Sequence, residues 1–302
     1  MGLEFKQLEL SDKARICDYV RQYPPYSDFN FTNLWVWYNV NDSTRYGFLN
    51  GNLVIEFVGM NQEYHFYSFL GNNRVIETVD TLFDVSVQNG IQPVLELVPE
   101  VSLAIEDEEL GRRFDIQEDN DMFDYVYALQ DIIELEGPGN ASKRRGYRKF
   151  LRDYGMYDAS ELDLKEQTTR NQIVSLLDIW YQQKGASAVD AGHEHAAINK
   201  LLAHAGNFDL STTGVYYEGQ LIGLYISEIV DRENVIGHFK KGDYRYAGIF
   251  QILEIENAKH LLKSGRKYLN EQQDLGLKGL RRSKLGRNPI QFLKKYTVAT
   301  RF

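Results

Sequence analysis

One cysteine, Cys17, occurs in 302 residues. An internal disulfide and a cysteine-rich zinc site are therefore excluded, and Cys17 reads as a small apolar side chain on a helix. The 6 histidines offer no metal-ligand spacing either: His193 and His195 diverge on a helix at i, i+2, and His65, His204, His238 and His260 are scattered. No run approaches eighteen uncharged apolar residues, so no spanning helix is expected. The opening Met1-Gly2-Leu3-Glu4-Phe5-Lys6 has no basic lead, apolar run or small-residue cleavage site, so a signal peptide is not expected and a cytoplasmic location is. No Gly-x-Ser-x-Gly elbow or Walker loop occurs, which leaves hydrolase and nucleotidase readings without a motif.

What the chain has is acid, aromatic rings and an uneven distribution of charge. There are 43 acidic and 34 basic side chains, for a formal charge of −9. That balance disfavours a generic nucleic-acid binder, DNA included, or an anionic-membrane binder. Yet from Glu96 to Glu136 fourteen acids accompany two arginines, whereas Gly137–Arg152 holds six bases and no acid, and Leu275–Phe302 holds eight bases and no acid. Two concentrated basic segments can bind an anion locally.

The periodicities give one order of elements twice. Helices are expected from Ser11 to Gln22, with Ser11 as N-cap, and from Phe31 to Tyr38. A hairpin follows, with Asn50-Gly51 as its turn. Then come a strand at Tyr64–Leu70, a helix at Asn73–Asn89 that turns Val75, Val79, Leu82, Phe83 and Val87 to one face, and a strand at Pro93–Val98. Later, a helix capped by Thr168 or Thr169 and a second helix near Ala196–His204 precede a hairpin turning at Glu218-Gly219. The strand Val235–Lys240, the helix Gly248–Lys263 and a strand beginning at Arg266 complete the second copy. A short helix at Arg281–Leu285 and a strand at Phe292–Phe302 close the chain. The expected architecture is α/β (α+β), a tandem of two related domains, 1–136 and 137–302, joined near Gly137-Pro138-Gly139. Each is a mixed sheet flanked by helices.

Hairpin, strand, helix, strand is the order of the acyl-CoA N-acyltransferase (GNAT) fold, and several strings are more specific. Lys143-Arg144-Arg145 leading to Phe150, Gly214–Gly223, His238–Asp243, Asn270–Gly276 and Gly279–Leu285 followed by Asn288-Pro289 resemble the family named for the C-terminal domain of phosphatidylglycerol lysyltransferase. Tyr26–Phe29 with Asn33-Leu34-Trp35 resembles its opening. The resemblance implies two GNAT-like domains and transfer of an acyl or aminoacyl group from acyl-CoA or aminoacyl-tRNA, with neither bound permanently. The chain departs from the family pattern at Gly139–Ser142 and at Arg145-Gly146.

Four groups of residues carry chemistry. On the segment Ser142–Tyr154, Tyr147, Phe150, Leu151 and Tyr154 form an apolar stripe, with Arg145, Arg148, Lys149 and Arg152 opposite and Lys143 and Arg144 flanking. This is either a solvated amphipathic helix or a phosphate clamp, and the missing acids favour the clamp. In GNAT folds the loop before the helix after the hairpin–strand unit holds the CoA pyrophosphate. Here Lys240, Lys241, Arg245 and Gly248 stand there as donor-binding candidates, with Asp243 as a catalytic one, but the second small residue of the usual loop is absent and Tyr244 and Tyr246 crowd the approach. Asn270–Asp274 puts five polar residues at the end of an apolar strand, which requires partners for each. Glu271 and Asp274 are candidates to orient or deprotonate an amine, and Asn270 and His238 to hold the acceptor. Lys278, Arg281, Arg282, Lys284 and Arg287 form either a phosphate site, with Arg281 and Lys284 as its chief candidates, or a partner for the acidic stretch.

The expected function is thus transfer from a polyanionic donor to an amine or hydroxyl acceptor, with the chemistry in the second domain. The rival is a binding or regulatory protein that keeps the fold without the reaction. Peripheral membrane contact and oligomeric state stay open.

Overall fold

The computed structural model describes residues 3–38, 44–58, 64–103, 108–185 and 188–301. Among the described residues, fourteen strands and ten α-helices follow in order. The strands are β1 (Lys6–Gln7), β2 (Arg45–Leu49), β3 (Asn52–Val58), β4 (His65–Leu70), β5 (Val94–Pro99), β6 (Phe114–Glu118), β7 (Asp124–Ala128), β8 (Asp158–Ser160), β9 (Leu210–Tyr217), β10 (Gln220–Ile229), β11 (Asn234–Gly242), β12 (Tyr268–Asn270), β13 (Gln291–Leu293) and β14 (Lys295–Thr300). The helices are α1 (Lys13–Val20), α2 (Phe31–Asn33), α3 (Val75–Gln88), α4 (Glu108–Arg113), α5 (Leu129–Glu134), α6 (Ala141–Tyr154), α7 (Gln167–Lys184), α8 (Ala188–Ala203), α9 (Ile249–Lys263) and α10 (Lys278–Leu285).

They build two seven-stranded mixed sheets, ordered β1-β2-β3-β4-β5-β14-β6 and β8-β9-β10-β11-β12-β7-β13. Read from the hairpin outward, the two orders match strand for strand. In each, one parallel pair flanks the long helix: β4 with β5 around α3, and β11 with β12 around α9. The chain forms two compact units, residues 1–124 with 273–277 and 292–302, and residues 125–272 with 278–291. The segment 137–139, expected as the link, lies within the second unit. The last strand β14 completes the first sheet against β5 and β6, and β7 completes the second against β12. No local pattern marks such an exchange.

Turn chemistry explains the hairpins. Asn50 and Gly51 have φ of 53° and 87°, and Glu218 and Gly219 have 51° and 78°. Two successive positive φ values define the type I′ turn whose twist suits a two-residue hairpin. Helix α3 buries Val79, Leu82 and Phe83 against the first sheet, while Val87, expected on that face, is exposed. Each such buried side chain contributes roughly 1.5–3 kcal/mol. Helix α9 is buried or half-buried along almost its whole length, with Ile249, Ile252, Leu253, Ile255, Ala258 and Leu261 buried, because it lies between the second sheet and helices α5 and α6.

Boundaries shifted where caps differ from expectation. Ser11 falls inside a 3-10 turn, where Asp12 accepts from the Glu9 N–H at 2.9 Å, and α1 begins at Lys13. Glu166 precedes α7, so the threonines lie in its first turn. The strands β6 and β7 and helices α4 and α5 arise in the acidic stretch, where no period was evident.

Candidate active site

The second sheet opens at one point. β12 pairs with β11 only over Asn234–Ile236 against Tyr268–Asn270, while β11 runs on to Gly242. The strands therefore splay from Gly237 onward. The ladder to β10 also shifts there: Ile226 faces Phe239 and Ser227 faces Gly237, so His238 is the extra residue of a bulge. A bulge re-aims side chains and commonly sits beside a site. The glycine at 237 is required, because a Cβ would lie 2.8 Å from the Tyr225 hydroxyl. Its absence lets Tyr225 cross beneath β11.

A cavity of about 530 Å³ occupies this splay. Five cations line it, Lys143, Lys240, Lys241, Lys284 and Arg287, against three carboxylates, Glu194, Glu254 and Glu271. On a chain of net charge −9 this is a local positive excess, which attracts anions.

Glu271 forms the floor. It is buried and accepts from Tyr225 Oη at 2.6 Å and Lys240 Nζ at 3.0 Å, and its other oxygen pairs with Arg287. Lys240 Nζ also reaches Glu254 at 2.6 Å, and Arg287 reaches Glu254 at 3.1 Å. Lys284 Nζ donates to the backbone carbonyls of Glu271 and Gln272, at 2.5 and 3.0 Å. Burial raises the Glu271 pKa, but Arg287, Lys240, Lys284 and the Tyr225 hydroxyl outweigh it, so the carboxyl stays well below its usual range. Lys143 moves the other way. Burial, with Arg287 and Lys240 nearby, brings its amine down to about 8, against the opposing pull of Glu254 and Glu271. Lys241, over the Trp180 ring at 3.6 Å and paired with Glu194 at 2.5 Å, is also lowered to about 8 by burial.

The structure brings together Glu271, His238, Lys143, Lys240, Lys241 and Lys284 of the expected residues. His238 is buried against Glu228 at 3.1 Å. Asn270 ends β12, and its Oδ1 accepts from the Gln272 N–H at 2.7 Å. Because Gln272 then adopts φ 60°, the expected strand alternation through Asp274 stops at Asn270. Asp274 belongs to the first unit, fully buried, with Gly276 N–H on its Oδ1 at 2.9 Å. Asp243 is buried in the loop before α9. It holds Gln183 at 2.7 Å and the Arg245 guanidinium at 2.5–3.0 Å, so these two candidates spend their charges on each other.

Gly248 is the N-cap of α9 at φ 98°, with the Gly146 carbonyl of α6 packed against it. Arg144 donates to the carbonyls of Leu135 and Gly137. Arg145 and Arg148, with Lys149 and Arg152, surround a separate depression of about 660 Å³ along α6. Arg281 is half-buried on α10 and does not line the cavity.

Sequence reasoning did not single out Tyr225 or Glu254. Glu254 carried a signal: a carboxylate flanked by the apolar Leu253 and Ile255 on a core helix needs a partner where it is buried. Arg287 was noted only as part of a basic run.

A hairpin, a splayed parallel pair and a long helix between its strands, built twice, define a tandem GNAT-like transferase fold. The chain belongs to the phosphatidylglycerol lysyltransferase C-terminal family, whose model matches residues 20–299. A conserved protein of unknown function from Bacteroides thetaiotaomicron is similar over 99% of this chain and 100% of its own, with TM-score 0.83 at 22% identity. The C-terminal domain of a putative lysylphosphatidylglycerol synthetase from Agrobacterium fabrum is similar over 97% and 93%, with TM-score 0.64 at 11% identity. A tandem GNAT protein from the clavulanic acid biosynthesis pathway is similar over 98% of both chains, with TM-score 0.52 at 10% identity. An uncharacterised protein of Mycoplasmoides gallisepticum is 25% identical over 175 residues, and the chain spans 55% of that protein's length. Among the described residues no helix is long and apolar enough to cross a membrane.

Proposed function

We propose that the second unit transfers an aminoacyl group from a charged RNA to an amine or hydroxyl acceptor, with bond exchange in the cavity at the β11–β12 splay. Arg287 carries the reading. Its side chain is 7% exposed, it lines the cavity, and its Nε is buried without a hydrogen-bond partner among the described residues. A buried N–H left without an acceptor costs about 1–3 kcal/mol. An oxygen of a bound anion or ester would satisfy it.

An ester is already activated, so positioning and polarisation are the main demands. Glu271 serves as a positioning residue: with three donors on its oxygens it stays ionised and fixes Arg287, Lys240 and Tyr225 around the floor. Lys240, Lys241 and Lys284 supply the field that holds the donor's anionic end. His238 and Asn270 shape the acceptor side.

Two observations favour charged RNA over acyl-CoA. The Gly146 carbonyl packs against Gly248, the N-cap of α9, and so brings a partial negative charge beside the helix end where GNAT enzymes hold a pyrophosphate. The outward band Arg145, Arg148, Lys149 and Arg152, of which the last two share Asp153 at 2.6 and 2.8 Å, keeps a positive excess that suits a long polyanion.

Filter retention of a bulk aminoacyl-tRNA pool at low and moderate salt, beside thermal shifts with CoA and acetyl-CoA, tests this. Retention should fall with salt and with Arg287→Lys, while neither CoA compound moves the melting point. A shift with CoA and no retention of RNA overturns the donor; no response to either overturns the transferase reading.

A further inference from the structure

Attack by an amine or hydroxyl on an ester releases a proton that some group in the cavity must take. Glu271 is ill-suited, since three cationic or hydroxyl donors already occupy its oxygens. Lys240 lies between Glu254 and Glu271, and Lys241 is paired with Glu194. The two carboxylates favour the ammonium form of Lys240; on Lys241 burial outweighs Glu194, but its Nζ is engaged by that carboxylate and lies 3.6 Å from the Trp180 ring.

Lys143 differs. Its Nζ has no carboxylate within ion-pair distance among the described residues, and donates instead to two neutral oxygens, Asn140 Oδ1 at 2.9 Å and the Gly286 carbonyl at 2.6 Å. A neutral lysine amine has two N–H bonds and one lone pair. Two acceptors fix the two N–H bonds, and the lone pair takes the remaining tetrahedral direction on a side chain that lines the cavity. Asn140 is itself anchored, its Nδ2 donating to the Glu136 carbonyl at 2.8 Å.

We infer that Lys143 is the proton acceptor of the transfer, a role that rests on the reaction proposed above. The acceptor's nitrogen or oxygen lone pair forms the new bond to the ester carbonyl carbon as its proton passes to Lys143 Nζ. The carbon–oxygen bond to the ribose then breaks, its electron pair leaves on the ribose oxygen, and Lys143 returns the proton there. Donor and acceptor exchange one acyl group for one proton, and the lysine ends neutral. The surroundings agree: burial is the largest influence on the amine, Arg287 of the floor and Lys240 of β11 add to it, and Glu254 of α9 and Glu271 oppose it.

Two measurements test the assignment. Trace acetic anhydride labelling across pH, read by peptide mass spectrometry, should show Lys143 acetylation rising with a midpoint near 8. An added lysine peptide in the same tube should rise near roughly 10.4. Single-turnover transfer of labelled amino acid from charged tRNA to ethanolamine should slow about 10²-fold in Lys143→Arg, with tRNA retention unchanged and the plateau above pH 8 lost. A labelling midpoint matching the peptide, or undiminished transfer by Lys143→Arg, overturns the role of Lys143 alone. Absence of transfer by the wild type overturns the parent reading and this role together, and the labelling midpoint distinguishes that outcome from a mistaken lysine.

Discussion

The two units reach the same topological gap and treat it oppositely. In the first, β4 meets β5 in parallel at Tyr67 and Leu95, and just beyond, Ser102 from the turn after β5 is bonded to the end of β4. That hydroxyl is fully buried, accepts from the Gly71 N–H at 3.1 Å and donates to the Phe69 carbonyl at 3.3 Å. In the second, β11 runs on past the last paired residue of β12, and a charged cavity fills the gap. Each unit also buries an ion cluster. Lys295 lies between Asp28 and Asp124 with all three side chains no more than 1% exposed, whereas the Glu271, Arg287, Lys240 and Glu254 cluster faces the cavity. Buried charge alone therefore does not mark a site; access to it does.

The largest expected effects come from removing one partner of each cluster. Arg287→Met leaves Glu271 and Glu254 short of a cation and should cost about 3–5 kcal/mol, read as a lower urea midpoint, with RNA retention abolished. Lys295→Met should lose a similar amount, about 3–5 kcal/mol, yet leave retention by the folded fraction intact. Equal loss of retention in both variants would erase the distinction between sealed and open clusters.

Gly248→Ala probes the covered α9 N-terminus. An added Cβ would sit at φ 98°, against the Gly146 carbonyl and 2.9 Å from Phe150 Cβ, so about 1–3 kcal/mol of stability should be lost. An unchanged melting temperature would show that α6 does not press on that position. Ser102→Ala tests the bond to the end of β4. It strips the buried Gly71 N–H of its acceptor and should cost roughly 1–2 kcal/mol by urea titration, with no effect on the second unit's ligand binding.

The contrast also shows which parts were legible in sequence. Hairpins and long helices were, because Asn50-Gly51 and the α9 period act over a few residues. The exchange of β7 and β14 was not, since Asp124 meets Lys295 across 171 positions and nothing near either announces the other. Within the site, Glu271 was legible as a carboxylate at the end of an apolar strand. Its partners Tyr225 and Arg287, and Glu254, which shares Arg287 and Lys240 with it, come from β10, the turn after α10 and α9, and only the fold assembles them. The basic run of α6 divided: Lys143 lines the cavity, while Arg145 and Arg148 lie along another depression.

The smallest expected effect separates two buried lysines by pH. Burial lowers the amine of Lys295, but Asp124 and Asp28 more than restore it, so its folded pKa is raised. Its contribution is fully present below the unfolded value of roughly 10.4 and is lost only as pH rises through the higher folded one. Lys241 is the reverse: burial dominates and Lys184 adds to it, so despite Glu194 its folded pKa falls to about 8. The folded state then binds fewer protons than the unfolded between about 8 and roughly 10.4, and stability gains as pH rises through that window. Urea midpoints of wild type and Lys241→Met should therefore diverge in favour of wild type from pH 8 to 10, by on the order of 1 kcal/mol, while the gap between wild type and Lys295→Met stays flat. A flat gap for Lys241→Met as well would mean that the cavity lysine is held by Glu194 as firmly as Lys295 is by its two aspartates, and the two clusters would then differ in access but not in how strongly they fix a proton.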